Sequence, residues 1–100
     1  MKFLLLLGKR LARLRALEGQ LADPEQQISA LSSISHEAHK IAGTAGTFGF
    51  ARLGISGRKT EAAIIAFLRD NSDEDIPKSL RFCIRDLLKE AADCIPLAKK

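Results

Sequence analysis

Asp23-Pro24-Glu25-Gln26-Gln27-Ile28-Ser29-Ala30-Leu31-Ser32-Ser33-Ile34-Ser35-His36-Glu37-Ala38-His39-Lys40-Ile41-Ala42-Gly43-Thr44-Ala45-Gly46-Thr47 is the stretch that decides the fold class. Ile28, Leu31, Ile34, Ala38, Ile41, Ala42 and Ala45 recur at three-to-four spacing, which gathers them on one stripe of an α-helix. The start is marked as well. Asp23 suits the N-cap, Pro24 the first turn, and Gln26 a capping-box-like exchange with Asp23. The spacing predicts a helix from about Pro24 to Thr47, broken by Gly49.

The segments on either side read the same way. From Phe3 to Leu21 the apolar positions Leu4, Leu7, Leu11, Leu14 and Leu21 keep helical spacing, with Lys2, Lys9, Arg13 and Gln20 opposite. Arg15 and Glu18 interrupt the apolar side near its end. A third helix is expected from about Phe50 to Arg69, burying Leu53, Gly57, Ile64, Phe67 and Leu68. The polar run Asp70-Asn71-Ser72-Asp73-Glu74-Asp75 separates it from a last helix, which starts near Pro77 and stops at Pro96. That helix is expected to bury Leu80, Cys83, Ile84, Leu87, Leu88 and Ala91. Each stripe can be buried only against the others. Four such helices with short connections predict an all-α, antiparallel up-down-up-down four-helix bundle, as a single domain over residues 1–100.

Composition agrees. One hundred residues, 46% hydrophobic and 28% charged, give one globular domain with a modest core. Three prolines, seven glycines and no Tyr or Trp argue against a small β-sandwich or barrel. Cys83 and Cys94 are too few for a disulfide framework and fit no metal-ligand spacing, so they read as small buried residues of a reduced protein. The opening Phe3-Leu4-Leu5-Leu6-Leu7 imitates a signal peptide but stops at Gly8-Lys9-Arg10, short of the roughly 7–15 apolar residues that a secretory segment needs. No stretch approaches the ~18 residues of a membrane span. The expectation is a cytoplasmic monomer without a membrane partner. A net charge of +4 and pI near 9.4 are compatible with several anionic partners and select none.

Candidate chemistry lies in the second helix. On a wheel with Ile28 at zero, the apolar stripe centres near about −85° and His39 falls at about +20°, on the border of core and solvent. Its same-face neighbours are Ser32, Ser35, Gly43 and Gly46, with His36 one turn back. Two glycines inside a helix, each costing roughly 1 kcal/mol against alanine, call for a reason. Access is one: bare backbone beyond His39 lets another protein approach the imidazole. A helix that ends at Gly43, followed by a flexible loop to Gly49, is the other.

The run Ala38-His39-Lys40-Ile41-Ala42-Gly43-Thr44-Ala45-Gly46-Thr47-Phe48-Gly49-Phe50, with Leu53 and Glu61 further on, resembles the signature of histidine-containing phosphotransfer (Hpt) domains. That family carries a helical histidine followed by an apolar residue at +2, a lysine at +3, glycine at +4, a small residue at +5 and glycine near +10. The resemblance implies that His39 is the phosphoacceptor of a two-component phosphorelay. It would take a phosphoryl group from the aspartate of one receiver domain and pass it to another, so the chain acts as a carrier without turnover of its own. Lys40, His36 and Gly43 would form the phosphate environment, and Ser32, Ser35, Gly43, Gly46 and Thr47 the docking face. The partners implied are response-regulator receiver domains or a hybrid sensor histidine kinase. Magnesium would belong to the receiver, leaving this chain with no cofactor or metal of its own. Chemically, a neutral imidazole is a good nucleophile near neutral pH. The departure is Ala42, which stands where the family has its lysine.

Other readings compete with this one. One is a receiver-binding relative that transfers poorly. Another is a basic helical nucleic-acid-binding module, suggested by Lys9, Arg10, Arg13, Arg52, Arg58, Lys59, Arg81 and Arg85, although a solvated surface explains these cations more simply. His36-Glu37-Ala38-His39 is one residue short of the zincin pattern and lacks a third histidine. Gly54-Ile55-Ser56-Gly57-Arg58-Lys59-Thr60 echoes a P-loop, but Arg58 intervenes and no strand precedes it. Finally, His39 can be a half-buried structural residue.

Overall fold

The helices of the computed structural model are α1 (Lys2–Gln20), α2 (Gln27–Ala45), α3 (Ala51–Asp70) and α4 (Lys78–Cys94). Residues 2–70 and 75–95 are described, with side chains from Leu5 onward. The side chains of Lys2 and Leu4, positions 71–74 of the polar loop and the stop at Pro96 lie outside the described residues. All regular structure among the described residues is helical. α1 packs against α2 and α4, and α3 packs against the same two, so the four helices enclose one core.

The apolar stripes meet in that core. α1 contributes Leu7, Leu11, Leu14 and Leu17, with Leu21 just past its end, α2 contributes Leu31, Ile34, Ala38, Ile41 and Ala45, α3 Leu53, Ile64 and Phe67, and α4 Leu80, Ile84, Leu87 and Ala91. Leu17 was absent from the expected stripe, because Arg15 and Glu18 beside it obscured the pattern. Ile28 departs in the other direction: it is 42% exposed. It lies at the edge of its stripe in the first turn of α2, where no neighbouring helix covers it. Leu68, Cys83 and Leu88 are half-buried rather than buried, because they flank their stripes; Leu68 and Leu88 still pack on the core.

The start of α2 also differs from the expectation. Its N-cap is Gln26, three positions beyond Asp23. Asp23 instead organises the preceding turn, where its Oδ1 accepts from the Glu25 N–H at 2.9 Å and its Oδ2 from the Gln26 amide at 2.8 Å. The Asx-type geometry competes with helix, which is why helix begins only afterwards. The Gln26 amide, and after it the Glu25 N–H, hold the Asp23 carboxyl below its ordinary value. The turn is therefore stabilised above the carboxylate range, and that contribution is lost as pH falls through the lowered pKa.

The end of α2 settles the loop question. Helix continues through Gly43 to Ala45. One tighter turn follows, closed by Gly49 at φ +84° and by the Phe50 N–H, which donates to the Ala45 carbonyl at 2.9 Å. This is the Schellman arrangement, and its positive φ is the reason for glycine at position 49. The P-loop-like run Gly54–Thr60 lies wholly within α3.

A second glycine decides how α2 and α3 meet. A Cβ on Gly57 would lie 2.9 Å from the Ala38 carbonyl oxygen and 3.2 Å from the Ala42 Cβ. One on Gly54 would sit 3.8 Å from Ala45 and Gly46. Only a bare backbone at Gly57 lets the helices approach this closely. Rising positions on α3 meet falling positions on α2, since Glu61 in turn reaches His39. On its far side α3 is tied to α4: Ser56 Oγ donates to Asp86 at 3.1 Å and Thr60 Oγ1 to the Cys83 carbonyl at 3.0 Å.

Three glycine-to-alanine substitutions therefore have three different expected outcomes in urea denaturation. Gly57→Ala destabilises by about 1–3 kcal/mol through overpacking. Gly49→Ala destabilises by roughly 1 kcal/mol through its left-handed conformation. Gly43→Ala, helical and with open space around its Cβ position, stabilises by up to ~1 kcal/mol.

Candidate functional site

His39 stands on the outer edge of α2, above the seam with α3, and its side chain is 72% exposed. The helical wheel sets it on the border of core and solvent. It stands further out, because the close α2–α3 approach is made by Ala38 and Ala42 beneath it. The Glu61 carboxylate reaches across from α3, with Oε2 2.9 Å from His39 Nδ1. A carboxylate in this position can only accept, so it favours the tautomer with the proton on Nδ1 and the lone pair on Nε2.

The two residues form part of a groove of about 560 Å³ between α2 and α3. α2 lines it with Ser32, Ser35, His36 and His39, and α3 with Glu61, Ile65, Leu68 and Arg69. Ser35 Oγ donates back to the Ser32 carbonyl at 2.7 Å, which keeps the floor smooth. His36 is exposed one turn before His39. Gly43, Gly46 and Thr47 are also exposed, but they lie past the lined groove, on the bare continuation of the same strip. Thr44 folds its hydroxyl onto the Lys40 and Ile41 carbonyls at 3.0 and 3.3 Å, so it adds no bulk there.

Lys40 is turned elsewhere. Its ammonium lies 4.0 Å from Glu37 Oε2, on the side that faces α1. Glu37 is buried, and it gathers Arg10 at 3.0 Å and Arg13 at 3.6 Å as well. A buried carboxylate requires such partners, and this one ties α1 to α2. Glu37 is thereby directed away from His36 and His39, as a zincin-like reading would not allow. Among the described residues, no cluster of three or more His, Cys, Asp or Glu side chains could hold a metal ion. None of the described helices is long and apolar enough to cross a membrane. The Cys94 thiol is pushed up by burial and then by Glu90 and Asp93, which keeps it protonated and poorly nucleophilic.

The contact between His39 and Glu61 is what the one-dimensional pattern did not disclose. A separation of 22 positions along the chain hides it, and the only sequence signal is the glutamate in the next helix.

An exposed helical histidine, a glycine one turn on and a carboxylate from the adjacent helix agree with one family in particular. The family model for the Hpt domain matches residues 2–94. The chain belongs to the Hpt-domain family. Hpt domains are phosphocarriers that perform histidine phosphotransfer in phosphorelays, where they meet receiver domains and kinases. No curated protein and no solved structure gives a match to this chain. The match spans all four helices of this Hpt domain, so the family's helical frame coincides with the core described above.

The role of Glu61 is directly measurable. In ¹⁵N NMR of the neutral ring, the parent should carry its proton on Nδ1. Glu61→Ala should shift the balance toward the Nε2-protonated form while leaving the helical content unchanged. An unaltered tautomer ratio would show that Glu61 does not orient the ring.

Proposed function

We propose that His39 is the phosphoacceptor of this Hpt domain and that it relays phosphoryl groups between receiver-domain aspartates. The observation that carries this reading is the combination of an exposed imidazole with an Nδ1 that faces Glu61 at 2.9 Å. The Nε2 lone pair attacks the phosphorus of the receiver's aspartyl phosphate. The bond from phosphorus to the aspartyl oxygen breaks, and its electron pair leaves with the aspartate carboxylate. The ring keeps its Nδ1 proton and becomes cationic as the P–N bond forms. Glu61 stabilises that charge, which develops only during transfer and is thus a differential contribution. The reverse step returns the group to a second receiver.

The chain's part is positioning, and its surface is made for a large partner. The exposed crest and the uncovered backbone at Gly43 and Gly46 admit a receiver domain close to the ring. Ser32, Ser35 and Thr47 would lie under the same partner, with His36 and Gly43 flanking the phosphoryl group. Magnesium and the remaining catalytic groups are assigned to the receiver, and turnover resides in the pair. In this reading the chain is a monomer with antiparallel up-down-up-down topology. The descending register of α2 on α3 and of α3 on α4 supports that topology. A hybrid sensor kinase is an equivalent partner, because it presents the same receiver chemistry.

Incubation with a phosphorylated receiver and magnesium should place acid-labile, base-stable phosphate on the protein. His39→Gln should abolish that label with the fold intact, whereas His36→Gln should only slow its appearance. Label that persists in His39→Gln would overturn the assignment.

The docking face has its own test. Gly43→Gln should fold, because the site is open, yet its side chain leans back over the preceding turn toward the imidazole. Transfer from a receiver should fall about tenfold or more, on the scale of a misplaced reacting group. Labelling by phosphoramidate should change much less. Equal transfer by parent and variant would remove Gly43 from the docking face.

A further inference from the structure

A phosphoryl group on His39 adds negative charge beside a carboxylate that is already in place, so the site needs a cation. Position 42, where the family carries lysine, holds Ala42, which is 8% exposed and packed at the Gly57 approach. Lys40 faces Glu37 at 4.0 Å, and Arg69, at the other end of the groove, is paired with Asp70 at 3.3 Å.

Arg58 directly follows Gly57 on α3, across from the same spot. Gly57 abuts Ala38 and Ala42, and Glu61 abuts His39, so Arg58 falls at the height of the His39–Gly43 turn. On the α3 wheel it stands about 100° from Gly57, in the direction of the groove residues Ile65 and Arg69 rather than of Ser56 and Thr60, which face α4. It is exposed, and among the described residues no ion pair or hydrogen bond engages it. The space over Gly43 is open.

We propose that Arg58 is the phosphoryl-binding cation of this domain, supplied from α3 in place of the missing lysine of α2. The proposal rests on the reading of His39 as phosphoacceptor. As the P–N bond forms and the donor's oxygen departs, the guanidinium donates to two phosphoryl oxygens across the bare surface of Gly43. A planar fork matches that geometry. The shift of the cation to the other helix leaves Ala42 small, and that smallness is what the Gly57 approach requires.

The experiment uses the full chain and phosphoramidate, which labels histidine without a partner, followed by ³¹P NMR. Arg58→Ala should slow labelling about fivefold, the scale of a partly screened charge-assisted contact, and should move the phosphohistidine resonance. Arg58→Lys should retain most of the rate, and Arg58→Glu should be slower than Arg58→Ala. Lys59→Ala, which removes a neighbouring cation from the α4 side of α3, should leave both readouts unchanged. A parent-like rate and resonance in Arg58→Ala would overturn the proposal, as would an equal loss in Lys59→Ala, which would indicate general surface charge. Loss of label in His39→Gln together with a neutral Arg58→Ala would sink this proposal alone. Label that survives in His39→Gln would sink the phosphoacceptor reading with it.

Discussion

The close approach of α2 and α3 at Gly57 is the constraint on which the rest of the structure depends. A methyl group there would press against the Ala38 carbonyl at 2.9 Å, so glycine sets the separation of the two helices. At that separation a glutamate on α3 spans the seam and meets the imidazole of α2. A wider seam would keep the same residues and lose the contact. The apolar core supplies the driving force for the bundle, whereas the glycine supplies the tolerance of its functional edge.

The histidine and its carboxylate are unequally placed. His39 is 72% exposed and Glu61 25%. The imidazole is therefore open to a partner as large as a protein domain, while the carboxylate beside it sits deeper and is screened less by solvent. Such an arrangement has little to offer a small substrate, since an open groove neither encloses a ligand nor excludes water. It suits a carrier whose reaction is completed by the surface that docks on it.

Buried charge elsewhere follows a different logic. Glu37 draws Arg10, Arg13 and Lys40 to the seam between α1 and α2, away from His39. A lysine adjacent in sequence to the histidine is thus committed to the fold, and proximity along the chain is a poor guide to electrostatic partnership. On the far side of α3, Ser56 and Thr60 fasten it to α4 through hydrogen bonds to the Asp86 carboxylate and the Cys83 carbonyl. Among the described residues no buried polar side-chain atom lacks a partner, which is what a bundle with only one small core requires.

Periodicity alone was enough for the number of helices, their order and most of their buried positions, because side chains three and four apart share a face in any α-helix. The stop at Gly49 was legible for a similar reason: glycine tolerates the positive φ that a Schellman turn demands. Ile28 and Leu17 depart from the periodic pattern, since burial at a stripe's edge depends on where the neighbouring helix runs. The start of α2 is not legible in the sequence because the Asp23 side chain has two uses, capping a helix or closing a turn, and local chemistry does not choose between them. His39 and its glycine strip could be found from the chain, as their spacing lies within one helix. The pairing with Glu61, the diversion of Lys40 to Glu37 and the close contact at Gly57 arise only when separate helices are brought together. They are properties of distances between elements, and no spacing within an element encodes those.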